Sequence, residues 1–180
     1  MQRWVVRRVS VLALLALCAC APGGSSRTLE VEAARIEPGP QPALVVDLDF
    51  APRAQVLEAL DRGVAIRLEF DLGGHDQNNY VVFERHSVVL TYQPLVLQWQ
   101  LERSGESSPR LFASRSELMA AVDQVRLPLR RDWLQLRGRR DYSLRVRLRQ
   151  ASLPGPLRLP AWFSRAWRID SGEVSWNTAA

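Results

Sequence analysis

The chain has 180 residues, of which 24% are charged and 47% hydrophobic, as in one globular domain rather than a disordered or collagen-like polymer. Its two cysteines and two histidines are too few for a disulfide-dense scaffold or a dedicated transition-metal site, so we expect neither a metal nor a cofactor. The net charge of +5 points to an anionic partner if that charge belongs to the mature protein. All 24 cationic side chains are arginine, which excludes Schiff-base and P-loop lysine chemistry.

The first 19 residues have the layout of a bacterial secretory signal. Three arginines precede an uncharged run from Val9 to Ala19, which is shorter than the roughly 17–25 residues of a membrane span. The sequence Leu17-Cys18-Ala19-Cys20 resembles the bacterial lipobox. We therefore predict removal of residues 1–19 and acylation of Cys20, with plain secretion or an uncleaved anchor as alternatives.

Downstream of this signal we expect a tether and one domain. Residues 20–27 are rich in small residues and are interpreted as a flexible tether, and residues 28–180 as a single β-rich domain. By resemblance to Gram-negative lipoprotein sorting, Ala21 after the cysteine favours the outer membrane. The expected location is the bacterial envelope, lipid-anchored and facing the periplasm.

Period-two alternation dominates from Thr28 onward and predicts half-buried strands with one wet face. The predicted strands are residues 44–50, 64–71, 80–84, 87–92 and 95–101, with a hairpin of 132–137 and 142–149 around Gly138. In the strand 95–101, Leu95, Leu97, Trp99 and Leu101 are expected to share one face.

Two helices interrupt the strands. The first begins near Pro52 and is closed by Gly63. The second begins with the capping-box sequence Ser114-Arg115-Ser116-Glu117 and runs through Val125 to a stop before Pro128. Adjacent strands without regular βαβ alternation predict a mainly β, α+β fold, namely an antiparallel β-sandwich-like sheet with two short helices.

The charge is unevenly divided along the mature chain. Residues 20–102 hold 6 arginines and 12 acids, whereas residues 103–180 hold 15 arginines and 7 acids. Arg145, Arg147 and Arg149 alternate along one predicted strand and form a candidate surface for an anionic partner. The alternative is that these arginines neutralise the acidic rows 47/49 and 69/71 across neighbouring strands.

Other polar and aromatic residues give weaker signals. Asp47 and Asp49 share one strand face, which is compatible with acid–base chemistry but also follows from any solvent-facing strand. His75 and His86 lie outside any metal-binding or nucleophile motif. The C-terminal tryptophans are expected to pin the last segment to the core or, alternatively, to form a partner or membrane-surface patch. These residues are Trp162, Trp167 and Trp176.

A series of short motifs occurs in a fixed order along the predicted domain. The motifs are residues 56–63, Leu90-Thr91-Tyr92, residues 117–125, Asp132-Trp133, Tyr142 before the arginine strand, Leu153-Pro154-x-Pro156 and residues 167–171. Together they resemble one proteobacterial envelope family, domain of unknown function 4390. The resemblance extends from Leu29 to Trp176. It implies a secreted, β-rich domain without assigned activity or catalytic residues.

Three hypotheses for function follow. The first is a non-catalytic envelope lipoprotein whose domain binds an envelope protein or anionic lipid, in addition to the membrane that holds its anchor. The second is a periplasmic lipid or glycolipid carrier with an apolar cleft rimmed by arginines. The third is a hydrolase that uses the carboxylates of Asp47 and Asp49. A secreted chain without an aromatic-interleaved RNA motif is not expected to bind nucleic acid.

Overall fold

A computed structural model of the chain describes residues 28–76, 79–130 and 141–177. These described residues form nine strands and three α-helices. The strands are β1 (Leu29–Glu37), β2 (Ala43–Phe50), β3 (Ile66–Asp76), β4 (Asn79–Gln93), β5 (Gln98–Arg103), β6 (Arg110–Phe112), β7 (Gln124–Pro128), β8 (Asp141–Leu148) and β9 (Asp170–Asn177). The helices are α1 (Ala54–Asp61), α2 (Arg115–Asp123) and α3 (Gly155–Phe163).

The strands form two antiparallel sheets. The smaller sheet has the order β1-β2-β7, and the larger has the order β6-β5-β4-β3-β8-β9. β3 lies inside the larger sheet, where the register pairs Phe70 with His86 on β4 and with Val146 on β8. The predicted β-rich α+β fold with antiparallel strands is therefore confirmed.

Both sheets bury one face in a common hydrophobic core. β3 contributes Leu68, Phe70 and Leu72, and β2 contributes Leu44 and Val46, all completely buried. Because side chains alternate between the faces of a strand, the intervening residues of β3 point to the outer face of the larger sheet. This alternation separates an apolar interior from a charged outer surface.

The first helix ends as the sequence predicts. Val56 and Leu60 of α1 are buried, and Gly63 follows with a φ of +82°, a left-handed conformation that favours glycine. A Cβ atom at residue 63 would lie 3.3 Å from the carbonyl oxygen of Tyr92. The C-terminal end of α1 is thus fixed against the end of β4.

The second helix begins at its predicted cap. The Oγ atom of Ser114 accepts a hydrogen bond from the backbone N–H of Glu117 at 3.2 Å. The Glu117 carboxylate in turn accepts one from the backbone N–H of Ala113 at 3.1 Å. Two backbone donors at the start of α2 are satisfied by side chains.

Replacing this cap should destabilise the domain modestly. We expect Ser114→Ala to lower the free energy of unfolding by about 1 kcal/mol, because the N–H of Glu117 loses its side-chain acceptor. Chemical denaturation of the two proteins measures the difference. Ser107→Ala, which removes an exposed hydroxyl from the loop between β5 and β6, is the control and should change the stability less.

The second helix is shorter than predicted. α2 ends at Asp123, and Val125 lies in β7, where it pairs with Val46 of β2. The continuation of the helix to Val125 was therefore wrong. The segment joins the sheet instead of extending the helix, because the backbone of β7 forms hydrogen bonds with the edge of β2. This pairing also buries Val125 completely.

The predicted strand 95–101 is also corrected. Residues Pro94–Leu97 form a turn, and β5 begins at Gln98. Leu95 and Leu97 are 99% and 70% exposed and do not share a buried face with Leu101. Proline cannot donate a ladder hydrogen bond, and Leu97 has a φ of +53°, so the chain reverses here.

The C-terminal segment contains elements that the alternation did not reveal. Helix α3 was not predicted, because Pro156 and Pro160 disfavour a helix in the sequence pattern. A proline in the first turn of a helix, such as Pro156, is nevertheless well tolerated. Trp167 is buried, and Trp176 of β9 packs against the core beside Tyr142, so these two tryptophans pin the segment. Trp162, in contrast, is 52% exposed.

The second arm of the predicted hairpin, 142–149, corresponds to β8. The first arm, 132–137, lies outside the described residues, as do the predicted signal and tether. Among the helices that are described, none has the length and hydrophobicity to span a bilayer.

Candidate interaction surface on the outer face of the six-stranded sheet

The central strand of the larger sheet carries two carboxylates on its outer face. The register places Asp71 directly opposite Arg85 on β4 and Arg145 on β8. It places Glu69 opposite Arg147 on β8. Each carboxylate is therefore flanked by arginine, because antiparallel pairing brings directly opposite side chains within contact distance.

The side chains use this proximity. Asp71 accepts a hydrogen bond from Arg85 Nε at 2.5 Å and lies 3.1 Å from Arg147 Nη2. Glu69 accepts a hydrogen bond from Arg149 Nη1 at 2.8 Å and lies 3.6 Å from Arg147 Nε. Arg147 thus bridges the two carboxylates and connects the ion pairs into one array.

The carboxylates and the arginines differ in burial. Glu69 and Asp71 are 6% and 3% exposed, whereas the side chains of Arg85, Arg147 and Arg149 are between 39% and 52% exposed. A buried carboxylate requires compensation by charge and hydrogen bonds. The arginine stems cover the carboxylates while their guanidinium groups reach solvent.

Arg145 takes a partner from β9. Its Nε and Nη2 atoms donate to Asp170 at 3.0 and 2.5 Å, and the backbone N–H of Gly172 donates to the same carboxylate at 2.9 Å. Burial alone would raise the pKa of Asp170, but the hydrogen bonds from Arg145 and Gly172 and the charges of Arg145 and Arg147 outweigh it and lower the pKa. We call the array of Arg85, Arg145, Arg147, Arg149, Glu69, Asp71 and Asp170 the arginine ladder.

The lowered pKa of Asp170 gives a pH-dependent contribution to stability. Since the carboxylate is favoured in the folded state, its contribution is complete above the unfolded pKa, near 3.8, and is lost as the pH falls through the folded pKa. We expect Asp170→Asn to lower the free energy of unfolding at neutral pH by about 1 kcal/mol, limited by solvent screening. Urea denaturation of both proteins from pH 7 to pH 2.5 should show this difference shrinking as the pH falls below the unfolded pKa. A difference independent of pH would contradict the assignment.

The ladder borders a shallow cavity of about 410 Å³. Its lining includes Glu69, Arg85, Arg147, Arg149 and Ala151. Guanidinium groups present planar, paired donors that match carboxylate and phosphate oxygens. An anionic group entering this cavity would meet three arginines held in place by buried carboxylates.

Comparison with known proteins places this domain in a family. The sequence model of the family described as domain of unknown function (DUF4390) matches residues 26–177, which span all of the described structure. The chain belongs to this family. No curated protein and no solved structure matches it.

In the DUF4390 domain the two acidic rows, 47/49 and 69/71, lie in different sheets. Arg147 and Arg149 contact the row of Glu69 and Asp71, as expected for neutralisation across strands. Asp47 and Asp49 lie on β2 in the other sheet, so the expected contact of the arginine row with these two residues was wrong.

The two carboxylates of β2 have different neighbours. Asp47 accepts hydrogen bonds from Arg35 at 3.1 Å and from Gln124 at 3.3 Å. Asp49 lies near Asp123. Burial raises the pKa of the Asp123 carboxyl, and the negative charges of Asp49 and Glu32 raise it further, although a hydrogen bond from the backbone of Phe50 lowers it. The outer face of the smaller sheet therefore has its own ion pairs and an acidic edge.

His86, which belongs to no motif in the sequence, lies buried on the core side of the larger sheet. His86 is 6% exposed, with Nδ1 at 3.4 Å from Ser104 Oγ and Nε2 at 3.1 Å from Glu84 Oε1, although the second contact lacks hydrogen-bond alignment. Ser104 Oγ also accepts the backbone N–H of Ser87 at 2.9 Å. These contacts join the end of β5 to β4.

The other residues singled out in the sequence do not form a metal site in the described structure. Within residues 28–76, 79–130 and 141–177, no group of three histidine, cysteine, aspartate or glutamate residues could hold a metal ion. Cys20 lies outside the described residues, and the side chain of His75 is not among those described. The sequence did not predict Arg85 and Asp170 as members of the ladder. Their contacts depend on the register of β4 against β3 and on the pairing of β9 with β8.

Proposed function

We propose that the protein is a non-catalytic lipoprotein of the bacterial envelope that is anchored through Cys20 and binds an envelope partner at the arginine ladder. The observation that carries this proposal is the ladder itself. It presents several guanidinium groups to solvent in fixed positions, supported from below by buried Glu69 and Asp71. Preorganised donors bind an anionic group with a smaller loss of side-chain entropy than mobile ones.

The ladder suits a partner with dispersed negative charge. The internal carboxylates neutralise much of the arginine charge, so the surface is not a strong uniform field. The exposed guanidinium edges therefore favour short-range, geometrically defined contacts to carboxylate or phosphate groups. We propose an envelope protein with an acidic surface as the partner, with anionic lipid as the alternative.

The carrier hypothesis receives less support from the geometry. It needs an apolar cleft with arginines at its rim. The apolar faces of β2 and β3 instead pack together in one core, and the arginines of the ladder lie on the opposite face of the larger sheet. Native mass spectrometry after gentle extraction tests this alternative, since a carrier should retain bound lipid.

The anchor has a direct test of its own. Mass spectrometry of the mature N-terminus should show a chain that begins at Cys20 and carries acyl groups. An unmodified chain with a different first residue would contradict the anchor.

The interaction at the ladder is tested by photocrosslinking in intact cells. A photoreactive amino acid at Ala151, which is exposed and lines the cavity beside Arg149, should give a discrete adduct. Arg149→Gln should reduce this adduct, because the residue loses its charge and one donor group. The same photoreactive residue at Ala120, exposed on α2, is the control. Equal adducts from both positions, unaffected by Arg149→Gln, would contradict binding at the ladder.

A further inference from the structure

Exposed hydrophobic side chains are concentrated at one end of the sandwich. In the described residues nine large hydrophobic side chains are exposed, and six of them belong to the turn Pro94–Leu97 and to α3. These are Leu95, Val96, Leu97, Leu159, Trp162 and Phe163. An exposed apolar patch of this kind marks a site of interaction with a partner or a membrane.

The exposed residues of α3 form one stripe. Leu159, Trp162 and Phe163 follow the spacing i, i+3, i+4 and lie on one side of the helix. Their exposures are 63%, 52% and 81%, whereas Ala161 on the opposite side is buried in the core. The helix therefore presents an aromatic, apolar face outward although its inner face already completes the core.

Helix α1 connects the two exposed groups. Near its beginning, Gln55 contacts Ser164 directly after α3, with 3.3 Å between Ser164 Oγ and Gln55 Oε1. At its end, Gly63 lies against Tyr92 and Pro94 at the base of the turn. Because α1 is about 12 Å long, the turn and α3 belong to one end of the domain. We call this end, formed by α1, the turn Pro94–Leu97 and α3, the docking end.

The described part of the chain also begins at this end. Leu29 pairs with Phe50, and the carbonyl oxygen of Thr28 accepts the backbone N–H of Ala51, three residues before α1. The eight residues 20–27 that separate Cys20 from this point span at most about 26 to 29 Å. A lipid on Cys20 would keep the docking end, rather than the opposite end, close to the bilayer.

The charges around the exposed side chains match an anionic membrane. Arg158 lies in α3, Arg165 and Arg168 follow it and Arg53 precedes α1, and all four are exposed. No acidic residue occurs between Gly155 and Arg168. The acidic residues of α1 have arginine partners, Glu58 in Arg62 and Asp61 in Arg115. Tryptophan, phenylalanine and leucine surrounded by arginine are typical of surfaces that lie in the membrane interface.

We infer that Leu159, Trp162 and Phe163 insert into the interface of the membrane that holds Cys20, with the flanking arginines at anionic headgroups. This inference rests on the proposed anchor. A lipid chain and a second contact bind a membrane more firmly than either does alone. The second contact fixes the orientation of the domain and directs the arginine ladder sideways, along the membrane surface, instead of into it.

Tryptophan quenching tests the inserted residues directly. The acylated full chain is reconstituted in vesicles of brominated phosphatidylcholine with a minor fraction of phosphatidylglycerol. We expect lipid-dependent quenching that is lost in Trp162→Phe and that increases with the phosphatidylglycerol content. Val81→Trp, which adds an exposed tryptophan on β4 opposite Gly74, at the other end of β3 from α1, should add no quenched component.

The outcomes separate insertion from anchoring. Equal quenching in the wild type and in Trp162→Phe, with Cys20 acylated according to mass spectrometry, would overturn insertion and leave the anchor intact. Quenching of Trp162 in protein isolated from cells without acylation would support insertion, while the mass of its N-terminus would refute the anchor. Absence of quenching together with a protein adduct from a photoreactive residue at Phe163 would overturn the inference in favour of a protein partner.

Discussion

Phe70→Ala is expected to lower the free energy of unfolding by about 3–5 kcal/mol. Phe70 is completely buried in the centre of β3, opposite His86 and Val146, so its removal leaves a cavity that the two flanking strands cannot close. Since domains have a total stability of roughly 5–15 kcal/mol, this single change removes a large part of it. Urea or thermal denaturation measures the loss.

Phe163→Ala is the matched control for this prediction. The chemical change is identical, but Phe163 is 81% exposed on α3. We expect a change of at most about 0.5 kcal/mol, the range of ordinary surface substitutions. Equal losses in the two variants would mean that the core is not centred on β3.

The second large effect is expected at the arginine ladder. Asp71→Asn should lower the free energy of unfolding by about 2–4 kcal/mol, because Arg85 and Arg147 lose the charge that holds them together. The side chain of Asp71 is 4% exposed, so water replaces the lost interaction poorly. Denaturation at neutral pH measures this effect.

Asp61→Asn provides the comparison. Asp61 also pairs with an arginine, Arg115, at 2.8 Å, but its side chain is 42% exposed. An exposed ion pair contributes less than about 1 kcal/mol, so this variant should remain close to the wild type. A loss as large as that of Asp71→Asn would show that burial does not distinguish the ladder from an ordinary surface pair.

Much of the fold follows from local sequence pattern. Alternation along β3 assigned Leu68 and Phe70 to the core and Glu69 and Asp71 to the outer face, because a half-buried strand has a period of two. Ser114 and Gly63 similarly marked the ends of helices through capping chemistry. These signals are short-range, and the structure confirms them.

The elements that were missed depend on tertiary context. Val125 fits a helix or a strand by its own sequence, and the free edge of β2 decides between them. Leu95 and Leu97 continue an apolar alternation, yet they lie in a turn at the docking end. The prolines of α3 suppress a helical prediction although the fold accommodates both.

The candidate site likewise combines residues that the sequence pattern predicts with partners that only the fold brings together. The row of Arg145, Arg147 and Arg149 was visible as a pattern, but its partners depend on which strands are neighbours. Asp170 lies in a tail segment without strand signal and becomes a ladder residue because β9 pairs with β8. Arg85 similarly requires the register of β4 against β3.

A double-mutant cycle of Asp71→Asn and Arg147→Gln tests most directly whether the ladder is one ordered array. We predict a coupling free energy of about 1–3 kcal/mol between the two positions, since Arg147 contacts both buried carboxylates. The parallel cycle of Asp61→Asn and Arg115→Gln should give about 0.5 kcal/mol, as for an exposed pair. A coupling at Asp71 and Arg147 no larger than this reference would contradict a preorganised ladder and remove the basis for binding there.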